Sequence, residues 1–74
     1  MEDDWDKTLD ILNTVDIYKE NDRIKEKIFY LKSLAYLYKK DGPASYKYAQ
    51  NVLELNNSNR KAQYVKSIIK ANMK

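Results

Sequence analysis

Glycine and proline each occur once in this chain, side by side at Gly42 and Pro43. A multi-stranded sheet needs turn residues every few positions, and a chain with a single breaker pair cannot supply them. Helices are what remain, and the apolar residues recur at helical spacing. Trp5, Leu9, Leu12 and Val15, flanked by Ile11 and Tyr18, predict a first helix over about 3–19, with Asp3, Asp4 and Asp6 placed where the helix dipole favours negative charge. Glu20-Asn21-Asp22 reads as a polar turn in which Asn21 or Asp22 caps a second helix over about 22–40. That helix is apolar on more than one side. Ile24, Ile28, Leu31, Ala35 and Tyr38 form one stripe, and Phe29, Tyr30, Leu34, Tyr36 and Leu37 occupy much of the rest.

Lys39 and Lys40 suit the C-terminal dipole, and Gly42-Pro43 marks a stop and a restart. The third helix is expected over about 44–56, with Tyr48, Val52 and Leu55 on one line and Tyr46, Ala49 and Leu53 on another. After the polar break Asn56-Asn57-Ser58-Asn59, the fourth runs over about 59–72, apolar at Ala62, Val65 and Ile69 with Tyr64 and Ile68 beside them. The expectation is thus an all-α fold. A chain of 74 residues supports one hydrophobic core, hence one domain over 1–74. Four helices joined by turns of a few residues are expected to pack as antiparallel neighbours. Ile24 to Asn57 spans 34 residues, the period of a tetratricopeptide repeat, with Tyr30, Tyr36 and Tyr38 preceding the small Ala44, Ser45 and Ala49.

Several functions are excluded by what the chain lacks. It has no cysteine and no histidine, so thiolate chemistry, disulfides, cysteine zinc sites and the usual general base near neutral pH are all missing. No serine has a histidine to activate it. Asp3, Asp6 and Asp10 fall near one helix face, but acids in a first turn complement the dipole and do not require a metal. No cofactor, no metal and no catalytic residue are expected. No apolar run approaches the ~20 residues of a membrane span, so the chain as given is expected to be soluble. Charge is strongly divided: residues 1–22 hold eight acids and two bases, net −6, and residues 23–74 hold three acids and twelve bases, net +9. An acidic first helix beside basic later helices accounts for this better than a nucleic-acid site, because the tyrosines lie at core spacing.

At this point the chain resembles a known family. Ile28-Phe29-Tyr30-Leu31, Tyr36, Lys47-Tyr48-Ala49, Val52-Leu53, Asn59, Ala62, Ile68-Ile69 and Met73-Lys74 resemble the second repeat and closing helix of the mitochondrial fission protein 1 family. Ile11-Leu12 and Asp16-Ile17-Tyr18-Lys19-Glu20 resemble the helix before that repeat in fungal members. The likeness covers about 8–74, with one extra residue around Asp41 to Ser45. It implies a tetratricopeptide-like domain without enzymatic activity that recruits a fission adaptor or the dynamin-related GTPase. It also implies a position on the cytosolic face of the mitochondrial outer membrane, held by a tail anchor. The family's first two helices and that anchor have no counterpart in this sequence. The resemblance places Ser33 and Tyr36 in the family's concave groove.

The apolar surplus on the second helix points the same way. Helices one and three cannot cover all of it, and contiguous open apolar surface marks an interface. The expected partner-binding face is Phe29, Ser33, Tyr36 and Lys40. Its occupant is a protein or peptide helix, or a second copy in a homodimer. The alternative is a generic or designed helical-repeat scaffold, or a self-associating bundle, with no organelle role.

Overall fold

The computed structural model describes residues 4–72. Among them the chain forms four α-helices: α1 (Trp5–Asn13), α2 (Asp22–Tyr38), α3 (Gly42–Leu55) and α4 (Arg60–Asn72), with a single 3-10 turn at Ile17–Lys19 between α1 and α2. Each helix opens on an Asp or Asn whose side-chain oxygen accepts an otherwise free backbone N–H. Asp4 accepts from Lys7 at 2.9 Å, Asn21 from Ile24 at 3.0 Å, Asp41 from Ala44 at 3.3 Å and Asn59 from Ala62 at 3.0 Å. Asn21 rather than Asp22 therefore caps α2.

One boundary differs from the expected ones by more than two residues. The first helix ends at Asn13 rather than near 19. The Thr14 hydroxyl donates to the Ile11 carbonyl at 2.7 Å and the Asp16 carboxylate takes the Tyr18 N–H at 3.1 Å, so local side-chain bonds replace the helical ladder. Asp3, expected in the first turn, lies outside the described residues. The third helix begins at Gly42, with Pro43 in its first turn where a missing N–H costs nothing.

The residue that turns the chain left-handed after α2 is Lys40, at φ 64°, and not the glycine. Lys40 N–H bonds to the Leu37 carbonyl at 3.1 Å and Asp41 N–H to the Tyr36 carbonyl at 2.9 Å, the paired bonds of a Schellman stop.

α2 is the central element and packs against each of the other three helices. Its closest approach to α3 uses small residues. Ser33 and Ser45 are both wholly buried; the Ser45 hydroxyl donates to the Ser33 carbonyl and the Ser33 hydroxyl to the Tyr30 carbonyl, each at 2.7 Å. At the other end of α3, the Glu26 carboxylate of α2 accepts from Asn56 at 3.2 Å and from Asn59. The core lies where α4 meets the α2–α3 pair: Ala49, Val65 and Ile69, enclosed by Tyr30, Leu34, Leu37 and Tyr46. α1 lies along α2 through buried Leu9 and Leu12, through Trp5, whose ring stacks on Tyr38 at 4.9 Å, and through an Asp6–Lys39 ion pair. That bond to Asp6 is the main reason the Lys39 pKa is raised.

Candidate partner-binding surface

The open apolar surface is on α2, but on a different line from the expected one. Ile28 and Ala35 of the expected stripe are buried, whereas Ile24, Leu31 and Tyr38 are 40%, 44% and 63% exposed. Spacing by seven puts these three on one line of the helix, about 21 Å long at ~1.5 Å per residue. Length accounts for Ile24: α1 is anchored at the Tyr38 end and has nine residues to the seventeen of α2, about 13 Å against about 25 Å of helix. The line is bounded on one side by α1, through the Trp5–Tyr38 stack. On the other side the row Tyr30, Leu34 and Leu37 turns into the core against α4. Tyr64 of α4, 68% exposed, stands one turn beyond Lys61, whose ammonium lies 5.8 Å from the Tyr30 ring. The result is an open apolar floor on α2, with α1 beside its Tyr38 end.

The charges along this floor are uneven. At the start of α2 and of α4, Lys27, Arg60 and Lys61 gather with Glu26, Tyr30 and Asn59 around a hollow of about 400 Å³. Arg23, one turn before Lys27, is also exposed. Glu26 is engaged by Asn56 and Asn59. Among the described residues none of these four bases is in an ion pair.

The four residues expected to form the partner-binding face do not make an open surface: Phe29, Ser33 and Tyr36, at i, i+4 and i+7, lie on the side of α2 that packs on α3. The Phe29 and Tyr36 rings stack on Tyr48 of α3, at 6.1 Å and 5.6 Å between centroids, and are half-buried there. Ser33 is wholly buried at the α2–α3 crossing and has no surface to offer a partner. Lys40 is exposed beyond the end of α2, at a notch of about 420 Å³ lined by Leu37, Pro43, Ile68 and Ile69. The expected face therefore gives way to Ile24, Leu31 and Tyr38. Lys32 is 8% exposed, its ammonium 5.4 Å from the Tyr48 ring, and burial lowers its pKa. The heptad spacing of Ile24, Leu31 and Tyr38 was the sequence signal for the open line. What periodicity does not carry is the identity of the neighbour: a tyrosine at 48 covers one face, and a short α1 leaves the other bare.

Among the described residues no three His, Cys, Asp or Glu side chains group so as to hold a metal ion, and no helix is long and apolar enough to cross a membrane. No protein-family model, no curated protein and no solved structure matches this chain.

Proposed function

We propose that this chain is a non-enzymatic adaptor that seats an amphipathic helix of a protein partner along Ile24, Leu31 and Tyr38. The observation that carries the proposal is that line of three exposed apolar side chains on an otherwise packed helix. A partner helix with anchors at i, i+3 or i+4 and i+7 matches such a floor. The architecture fits a tetratricopeptide-like pair in which α2 and α3 run antiparallel with α4 as the closing helix. Ser45 near the start of α3 bonding Ser33 in the later half of α2, and Asn56 just after α3 bonding Glu26 near the start of α2, support that direction. The biological setting follows the resemblance to the mitochondrial fission protein 1 family: recruitment of a fission adaptor or dynamin-related GTPase on the cytosolic face of the outer mitochondrial membrane, with a tail anchor in the full-length protein.

The test is a tagged full-length protein, intact or with Leu31→Asp, expressed in cells. Both forms are expected at mitochondria, and only the intact one is expected to bring the dynamin-related GTPase there. A diffuse distribution of the intact protein rejects the organelle role, and equal recruitment by both forms rejects the α2 line as the docking surface.

A further inference from the structure

The uneven charge of the floor specifies the partner further. We infer that the docked helix carries a cluster of carboxylates at the end lying over Lys27, Arg60 and Lys61, and apolar anchors over Leu31 and Tyr38; this rests on reading the α2 line as a docking surface. Three features support it. Three bases lie together around one hollow, beside the first half of the apolar line. The carboxylate in their midst, Glu26, held by Asn56 and Asn59, offsets only one of their three charges and leaves the hollow net positive. Both α2 and α4 begin at this end, and their dipoles add positive potential there. The occupant follows from the same charges. A second copy laying its own α2 on this line would bring Arg23 and Lys27, the bases on that side of the helix left unpaired among the described residues, to an already basic surface, which opposes a homodimer through this face. A nucleic acid would satisfy the bases but would leave Leu31 and Tyr38 in water, 44% and 63% exposed beside it.

The experiment uses the whole chain and three labelled helical peptides of about fifteen residues, about the length of the line. All three carry leucines at i, i+4 and i+7, and one end bears three glutamates, three glutamines or three lysines. Fluorescence anisotropy gives each affinity, and the single tryptophan, Trp5, stacked on Tyr38 at the apolar end, reports seating of the leucines. The glutamate peptide is expected to bind roughly tenfold tighter than the glutamine peptide, about what three exposed ion pairs supply, and the lysine peptide weakest. The gap is expected to close at high salt. The double variant Lys27→Glu, Lys61→Glu should reverse the order, so that the lysine peptide binds best.

Equal binding of the glutamate and glutamine peptides overturns the charge inference and leaves the docking surface standing. Absence of binding by all three overturns both. Displacement of the glutamate peptide by an oligothymidylate, with no change in Trp5 emission when the peptide binds, identifies a general anion surface and overturns the inference in favour of nucleic acid.

Discussion

Replacing Ile69 by alanine tests whether α4 closes the fold on α2 and α3. Ile69 is 3% exposed and sits in the cluster with Ala49 and Val65. Truncation removes three carbons from that contact, worth about 2.4 kcal/mol at ~0.8 kcal/mol per methylene. A sealed void would add a further penalty, but Ile69 also borders the open notch beside Leu37 and Pro43, where water and side chains can move in. The expected loss is therefore about 2–3 kcal/mol, near the lower end of the ~2–5 kcal/mol range for isoleucine-to-alanine changes in cores. A domain of 74 residues has a total stability of about 4–11 kcal/mol at ~0.05–0.15 kcal/mol per residue, so the variant should remain folded with a clearly earlier transition. Urea unfolding followed by far-ultraviolet circular dichroism measures this, with Leu31→Ala as the exposed control, expected within ~0.5 kcal/mol of the parent. A loss for Ile69→Ala no larger than for Leu31→Ala would mean that α4 is not packed on α2 and α3.

Lys40→Gly should stabilise the chain. A left-handed non-glycine residue costs ~1–2 kcal/mol and the greater unfolded freedom of glycine returns ~0.5–1 kcal/mol of that, leaving a gain of about 0.5–1 kcal/mol read as a rise in Tm; a fall in Tm would mean the lysine side chain holds the turn. Lys32→Met tests the buried ammonium. Because burial lowers the Lys32 pKa, the unfolded chain keeps this proton to higher pH than the folded one, so the parent gains stability as pH rises through the window just below 10.5. The methionine variant lacks that gain, and its stability relative to the parent should decline across the same window; a constant difference would place the ammonium in water.

The helical character was legible because one Gly-Pro pair left few alternatives and because Asp and Asn stand at each helix start. The second and fourth helices were legible to within two residues for the same reason. The first was overextended because Val15, Ile17 and Tyr18 continue the apolar rhythm past Asn13. What breaks it is chemical rather than periodic: Thr14 and Asp16 offer the backbone nearer hydrogen bonds, and Tyr18 ends up 89% exposed. The surplus of apolar surface on α2 was also legible, but its location was not. Phe29 and Tyr36 look like open groove aromatics until the α2–α3 pairing stacks them on Tyr48, and Ser33 looks like a polar groove residue until the close crossing with Ser45 buries it. Lys40 looked like the last residue of a helix, and is the left-handed residue that ends one.

The freedom of the α2 line is measured most directly by nuclear magnetic resonance of the isoleucine, leucine and valine methyls in the presence of a soluble paramagnetic reagent. In the dilute chain, Ile24 and Leu31 should broaden as readily as exposed Ile11, while Ile28 and Val65 stay sharp. Protection of Ile24 and Leu31 to the level of Ile28 would mean that the chain already covers this line itself, leaving no floor for a partner helix.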